Sequence, residues 1–116
     1  MDKATRPKIL PGPTYQKSVG CGHLYITING NGTGPREIFA MLGKAGGCST
    51  CQNEALTRCI TLGLRGGIPV LEYILELRGI QCPNPKFYPE EEKCLSCPDA
   101  IGQALQEYLD GHKDQA

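Results

Sequence analysis

Ser96-Cys97-Pro98-Asp99-Ala100-Ile101 opens the last predicted helix of the chain. A proline directly after Cys97 suits the first helical position, where a missing backbone N–H costs nothing. Asp99 falls in the first turn, where a negative side chain interacts favourably with the helix dipole. Cys97 is therefore predicted at or beside the N-cap, where unpaired N–H groups and the dipole favour thiolate over thiol. The apolar face of this helix is predicted to comprise Ile101, Ala104, Leu105, Tyr108 and Leu109.

Three strand patterns come before the helices. Residues 14–19 form a short candidate strand, and Leu24-Tyr25-Ile26-Thr27-Ile28 alternates as a half-buried strand does. The turn residues of 29–34 indicate a hairpin tip, and residues 37–42 form the returning strand. The three segments together predict an antiparallel meander.

Two further helices are predicted between the meander and Cys97. Ser49 and Gln52 have the spacing of a capping box. The apolar stripe of the first helix is Ala55, Leu56, Cys59, Ile60 and Gly63, and that of the second is Val70, Leu71, Ile74 and Leu75. Because strands precede helices, the sequence predicts an α+β fold, a three-stranded meander followed by three helices.

The same pattern divides the chain into three parts. Residues 1–13 are polar and broken by prolines, which predicts a flexible N-terminal arm. Residues 14–110 form a single domain, and residues 111–116 are predicted to be a frayed tail.

The charge balance excludes some classes of partner. The chain carries 12 basic and 12 acidic residues, so its net charge gives no support for nucleic-acid or membrane-surface binding. No apolar run approaches the roughly 18 residues of a membrane span, and residues 1–7 lack the apolar region of a signal peptide. A cytoplasmic location is expected.

Seven cysteines accompany a modest apolar content without tryptophan. A core this small is stabilised by a metal or a cross-link. In a reducing cytosol, cysteines are more often metal ligands or redox thiols than members of disulfides. Four cysteines are predicted at ends of strands and helices, with backbone N–H groups nearby to stabilise a thiolate. These are Cys21, Cys48, Cys82 and Cys97, which are expected to converge at one end of the sheet.

The remaining cysteines have other interpretations. Cys48/Cys51 and Cys94/Cys97 are Cys-x-x-Cys pairs, but they lie farther apart than the about 15–20 residues of a zinc ribbon. Cys51 and Cys94 are therefore candidates for additional ligands or redox partners. Cys59 lies on the apolar stripe and is predicted to be a small core residue.

The loop before Cys48 has some features of a phosphate loop. Residues 43–47 read Gly-Lys-Ala-Gly-Gly, but Ala45 stands where the phosphate-binding pattern needs serine or threonine. A tight turn that leads into the helix at Cys48 is the favoured interpretation. No Ser/His/Asp arrangement, carboxylate pair or dinucleotide fingerprint is present.

Five ordered blocks of the chain resemble the TSCPD domain. That domain occurs at the C-terminus of adenosylcobalamin-dependent (class II) ribonucleoside-diphosphate reductases and as small free-standing proteins. The resemblance covers roughly residues 14–110, with Leu95 in place of the leading threonine of the motif. The blocks are residues 20–29, 43–48, 66–69, 78–85 and 95–101.

The resemblance implies a function as well as a fold. The family's cysteines correspond to Cys21, Cys48, Cys82 and Cys97, which would hold zinc or an iron–sulfur cluster. The reductase's catalytic barrel, cobalamin site and nucleotide sites have no counterpart here. The resemblance therefore implies an accessory module for deoxyribonucleotide synthesis that docks on a class II reductase chain or another protein and is not catalytic alone. A homodimer is compatible with this.

Two alternatives stay open at the level of sequence. The cysteine positions also resemble iron–sulfur scaffold proteins of the NifU type, although the aspartate expected beside the first cysteine is replaced by Gly22 and His23. A thiol redox protein using a Cys-x-x-Cys pair is the second alternative, but no thioredoxin-like βαβ pattern surrounds either pair.

Overall fold

The computed structural model describes residues 5–43 and 47–115, with only the backbone described at 47–48 and 112–115. Three antiparallel strands come first, β1 (Thr14–Val19), β2 (Gly22–Gly30) and β3 (Pro35–Leu42). Three α-helices follow, α1 (Gly47–Arg65), α2 (Val70–Leu77) and α3 (Cys97–Gln115), with one 3-10 turn at Glu90–Glu92 before α3. The predicted α+β class, meander and helix count are confirmed.

The sheet has β2 at its centre, in the order β1-β2-β3. Tyr15 pairs with Ile26 across one ladder, and Ile26 pairs with Ala40 across the other. Because successive side chains of a strand point to opposite faces, the alternation in β2 buries Leu24, Ile26 and Ile28 completely. Tyr25 lies on the opposite, open face of the sheet and is exposed.

Helix α3 covers the buried face of the sheet and contacts β1 and β2. Ile101, Ala104 and Leu105 are fully buried, and Tyr108 and Leu109 pack partly buried against the same core. The apolar face predicted for this helix is therefore confirmed. No helix within residues 5–43 and 47–115 combines the length and apolarity that crossing a bilayer requires.

Helix α1 packs along β3, which is an edge strand of the sheet. The Ile38 N–H donates to Thr61 Oγ1 at 3.0 Å, and the Thr61 hydroxyl donates to the Ile38 carbonyl at 3.2 Å. Thr61 thereby satisfies backbone groups that have no partner strand on that side.

The apolar stripe predicted for α1 was only partly correct. Cys59 is exposed, so its prediction as a core residue was wrong. The buried side of the helix instead runs through Asn53, Thr57, Ile60 and Leu64. The buried side of α1 is therefore rotated about the helix axis relative to the predicted stripe, and it includes two polar residues, Asn53 and Thr57.

Helix α2 packs against α3 through one narrow side. Ile74 and Leu77 are buried, whereas Leu71 is 49% exposed and Leu75 is 66% exposed. The predicted burial of Leu71 and Leu75 was wrong, because α2 turns Ile74 and Leu77 toward α3 and no element of the described residues covers the side that carries Leu71 and Leu75.

The N-terminal segment is attached to the sheet over the part that is described. Arg6 makes a two-point ion pair with the buried Glu37, at 2.6 and 3.0 Å. The carbonyl of Pro11 accepts from Gly30 N–H, and that of Pro13 accepts from Ile28 N–H. Residues 5–13 therefore have hydrogen bonds to the sheet, whereas the flexibility predicted for residues 1–13 stays a prediction and residues 1–4 lie outside the description.

At the other end, α3 extends to Gln115, beyond Gly111, where the frayed tail was predicted to start. Residue 116 and the loop residues 44–46 also lie outside the described ranges, and with them most of the predicted turn before Cys48.

Candidate functional site

The first turn of α3 is held by the serine and aspartate that flank Cys97. Ser96 Oγ accepts a hydrogen bond from the Asp99 N–H at 3.0 Å, as an N-cap residue does, and donates to the Ile80 carbonyl at 2.6 Å. Asp99 Oδ2 accepts from the Leu95 N–H at 3.0 Å. The predicted helix start is confirmed. Cys97 lies between the N-cap residue Ser96 and Asp99, whose side chain bonds back to the residue before Ser96.

Asp99 also connects the start of α3 to the end of α2. Its Oδ1 accepts from the Gly79 N–H at 2.9 Å and from Arg78 Nε at 3.2 Å, and its Oδ2 accepts from Gln103 Nε2 at 3.0 Å. Burial alone would raise the pKa of Asp99, but these donors, together with the Leu95 N–H, hold it below its ordinary value. The residue is therefore a buried carboxylate with a structural role.

The segment that carries Cys82 lies against the start of α3. The Cys82 N–H donates to the Leu95 carbonyl at 3.0 Å, and Lys86 and Cys94 exchange two backbone bonds at 2.8 Å. The Asn84 N–H points back at Cys82 Sγ at 3.4 Å. Such an N–H donor is a partner that stabilises a thiolate more than a thiol.

The turn that carries Cys21 meets the same loop. Asn84 Nδ2 donates to the Gly20 carbonyl at 2.8 Å. A Cβ atom at Gly20 would overlap the backbone oxygen of Asn84, so glycine is what lets the two segments approach this closely. Three segments, which carry Cys21, Cys82 and Cys97, are thus joined by hydrogen bonds through Asn84 and Leu95.

The electrostatics of Cys97 reflect this neighbourhood. Burial raises the pKa of the Cys97 thiol, and negative charge on Cys21 and Cys82 raises it further. The thiolate predicted from the helix N-terminus is therefore not favoured in the free protein, because desolvation and like charges outweigh the helix dipole. The Asn53 side chain acts in the opposite sense and lowers the pKa of Cys97.

Asn53 was missed by the sequence reasoning. It lies on α1 and is 4% exposed. Its Nδ2 is buried and makes no hydrogen bond of good geometry with the described residues, although its interaction with the sulfur of Cys97 lowers the pKa of that thiol. The signal available in the sequence was weak, since it consisted of a lone asparagine in the polar stretch after Cys48.

The sulfurs are not drawn into a ligand cluster in the structure. Among residues 5–43 and 47–111, where side chains are described, no three His, Cys, Asp or Glu residues form a group that could hold a metal ion. The Cys48 side chain lies outside the description. The convergence of Cys21, Cys48, Cys82 and Cys97 at one end of the sheet therefore stays a prediction.

The other cysteines divide by burial. Cys94 is 1% exposed and its Sγ donates to the Ser96 carbonyl at 3.3 Å. Burial is the main reason that its pKa is raised to about 11. Cys51 and Cys59 are exposed on α1. Cys94 is therefore a core thiol, and its part as an additional ligand or redox partner would require a charge in the protein interior.

No curated protein and no solved structure matches this sequence. A family model described as the TSCPD domain matches residues 2–109 of the 116-residue chain. That match includes every strand, α1, α2, the capped start of α3 and all seven cysteines. Because the match spans nearly the whole chain, this protein belongs to the TSCPD domain family.

Proposed function

We propose that this protein is an accessory metal-binding module in which Cys21, Cys48, Cys82 and Cys97 hold zinc or an iron–sulfur cluster. The observation that carries the proposal is the hydrogen-bonded meeting of three cysteine-bearing segments through Gly20, Asn84 and Leu95. On this proposal, ion binding would bring the sulfurs of Cys21, Cys82 and Cys97 together with that of Cys48.

The polar atoms around these cysteines fit a thiolate-bound metal. Four cysteines make a closed tetrahedral site of the kind that stabilises small domains. Cys82 Sγ already accepts the Asn84 N–H, and the buried Asn53 side chain interacts with Cys97 in the sense that lowers the pKa of that thiol. A bound cation would displace the thiol protons and offset the two effects that raise the pKa of Cys97, which are burial first and the negative charge of Cys21 and Cys82 second.

The partner that we propose is a class II ribonucleotide reductase catalytic chain. This rests on membership of the TSCPD domain family and on the resemblance described above. The protein would act by docking, because its sequence contains no catalytic triad, carboxylate pair or nucleotide fingerprint of its own.

The redox alternative has less support for the Cys94/Cys97 pair. Both thiols have raised pKa values, and thiol–disulfide exchange needs an accessible thiolate. The scaffold alternative would use three of these cysteines, Cys21, Cys48 and Cys97, and its bound group would be labile, so the experiment below separates it.

Metal analysis of protein purified without oxygen tests the proposal. We expect one equivalent of zinc, or iron and sulfide with a visible absorption band, and loss of either in the Ser variants of Cys21, Cys48, Cys82 and Cys97. Cys59→Ser is the matched control, because Cys59 is exposed on α1 and should retain the metal. A tightly held zinc argues against the scaffold, whereas a cluster that moves to an apo-acceptor favours it. Metal-free folded protein would refute the metal-binding role.

Docking is tested separately with a purified class II reductase catalytic chain. We expect co-elution of the metal-loaded protein with that chain in size-exclusion chromatography, and no co-elution of Cys97→Ser. Separate elution of the metal-loaded protein would reject this partner and leave the metal site intact.

A further inference from the structure

Strand β3 is an edge of the sheet that α1 covers in part. We propose that the uncovered part of this edge, together with the cleft between β3 and α1, binds a second copy of the protein. The two β3 strands then pair antiparallel across a two-fold axis, which joins the two sheets into one. This inference depends neither on the cysteines nor on a metal.

The first argument is the direction of the backbone groups of β3. The Gly43 N–H donates to the His23 carbonyl, and bonded and non-bonded pairs alternate along an antiparallel ladder. The odd-numbered residues of β3 therefore bond to β2. The N–H and C=O groups of Ile38, Ala40 and Leu42 point to the outer edge instead. The two bonds between Ile38 and the side chain of Thr61 agree with this direction.

Thr61 caps the first of these three residues and leaves the other two uncapped. In the part of the chain that the structure describes, the outward groups of Ala40 and Leu42 make no hydrogen bond. Free backbone groups at a sheet edge are a template for another strand, and proteins commonly block such an edge with charges or prolines. Residues 38–42 read Ile-Phe-Ala-Met-Leu and contain neither.

The second argument is the apolar surface beside this edge. On the open face of the sheet, Phe39 is 55% exposed and Met41 is 70% exposed, and Tyr25 lies opposite Met41 on β2. These side chains and α1 enclose a cleft of about 590 Å³. A strand added at this edge would remove apolar surface from water, which favours pairing.

The third argument identifies the occupant as a second copy. Glu54 and Arg58 line the α1 side of the cleft and are exposed. Neither makes an ion pair with any residue that the structure describes. A two-fold axis brings two α1 helices together antiparallel, so the acid of one helix faces the base of the other. One charge of each sign makes this surface complementary to itself.

The pairing can use the free backbone groups without disturbing those already bonded. With the axis beside Met41, Ala40 of each copy exchanges hydrogen bonds with Leu42 of the other, and Ile38 keeps its bonds to Thr61. The two Met41 side chains then meet on the open face. Because the paired segment is short, we expect a dimer that dissociates on dilution.

Sedimentation equilibrium over about a hundredfold range of protein concentration measures this association. We expect wild-type monomer at the low end and dimer at the high end. Met41→Lys should weaken dimerisation at least about tenfold, because a lysine on an edge strand opposes pairing. Leu75→Lys is the matched control, since Leu75 is 66% exposed on α2, away from the cleft, and this variant should dimerise like wild type.

Charge reversal tests the two-fold arrangement. Glu54→Lys leaves two bases on the α1 side of the cleft and Arg58→Glu leaves two acids, so each variant alone should dimerise at least about tenfold more weakly. An equimolar mixture of the two variants should dimerise about as well as wild type, because each chain then meets opposite charges. A mixture that stays monomeric would overturn the antiparallel arrangement.

Amide exchange locates the interface without any variant. In 15N-labelled wild type, the amide protons of Ala40 and Leu42 should exchange more slowly as the protein concentration rises. The amide proton of Ile38, which is bonded to Thr61 in the single chain, is the internal reference and should change little.

Three results would reject the second copy as the occupant. The first is a wild-type protein that stays monomeric throughout the concentration range. The second is a dimer that persists unchanged in Met41→Lys and in both charge variants, because it then uses another surface. The third is protection of the Ala40 amide only when a class II reductase chain is added, because the edge then binds that chain.

Discussion

The carboxylate of Asp99 accepts the backbone N–H of Gly79 at 2.9 Å, which fastens the first turn of α3 to the chain directly after α2. Asp99 also accepts from Leu95, whose carbonyl in turn accepts the N–H of Cys82. In this chain the segment from Ser96 to Asp99 therefore connects α2 to α3, and the hydrogen bonds of Ser96 and Asp99 fix the backbone around Cys97.

Asp99→Asn should destabilise the protein by about 2–3 kcal/mol. The substitution keeps the shape but replaces an acceptor oxygen with N–H2, so at least one of the donors from Gly79, Leu95, Gln103 and Arg78 loses its partner inside the protein. Urea unfolding at neutral pH measures the effect.

The matched control is Asp110→Asn on the same helix. Asp110 is exposed and accepts one bond from Gln106 at 2.9 Å, so its substitution should change stability by less than about 0.5 kcal/mol. If both variants lost the same free energy of unfolding, the buried hydrogen bonds of Asp99 would not stabilise the protein more than the exposed bond of Asp110 does.

Stability should fall as the pH is lowered from about 5 to 2. The pKa of Asp99 is held below its ordinary value in the folded state, and that of Glu37 is lowered mainly by Arg6 against the opposing effect of burial. A carboxyl group with a depressed folded-state pKa stabilises the protein above its unfolded pKa, about 4, and this contribution is lost as the pH falls through the folded value.

Urea midpoints at pH 7, 5 and 3 test this dependence. Wild type should change little between pH 7 and 5 and drop at pH 3, and Asp99→Asn should show a smaller drop. If acid lowered the stability of both proteins by the same amount, Asp99 would not contribute to the pH dependence of stability.

Thr61→Val should cost about 1–3 kcal/mol, because it leaves both the N–H and the C=O of Ile38 without their side-chain partner at the sheet edge. Thr57→Val, on the same helix, removes a hydroxyl that bonds to helix carbonyls already in use, and should cost at most about 1 kcal/mol. Urea unfolding of the two variants gives the comparison, and a larger loss at Thr57 would contradict the edge-capping role of Thr61.

The elements and the buried face of α3 could be predicted from the sequence, but the buried sides of α1 and α2 could not. Alternation in β2 and the proline after Cys97 report local preferences, and both predictions were confirmed. The inward side of α1 includes Asn53 and Thr57, two polar residues that a hydrophobic pattern does not place in the core. The position of Cys97 at a helix N-terminus predicted a lowered pKa, but burial raises it. Burial follows from tertiary packing, which the local sequence does not show.

Cys94 should resist alkylation in the folded protein. Its pKa is raised to about 11, so roughly 0.1% of it is thiolate at pH 8, and the buried sulfur is inaccessible as well. Exposed Cys59 should react with iodoacetamide at least 100-fold faster. Peptide mass spectrometry after short exposures measures the two rates, and urea-unfolded protein is the control in which they should converge. Similar rates in the folded state would mean that the loop over Cys94 opens readily.

Gly20→Ala should separate the turn that carries Cys21 from the loop that carries Cys82. The added methyl group would overlap the backbone oxygen of Asn84, so the loop must move and the bond from Asn84 Nδ2 to the Gly20 carbonyl is lost. We expect a cost of about 1–3 kcal/mol, as for overpacking elsewhere.

Gly111→Ala is the control for Gly20→Ala, because a methyl group at Gly111 meets open space in α3 and should raise stability by up to about 1 kcal/mol. Urea unfolding and the exchange rate of the Asn84 side-chain amide report the two effects independently. If Gly20→Ala left that amide protected, the close approach of these two segments would not depend on glycine, and the loop could reach Cys21 by another route. If the Asn84 amide lost its protection while the free energy of unfolding stayed the same, the hydrogen bond between Asn84 and Gly20 would hold these two segments together without stabilising the rest of the protein. The metal affinity of the variant would then measure how much the candidate site depends on this contact alone.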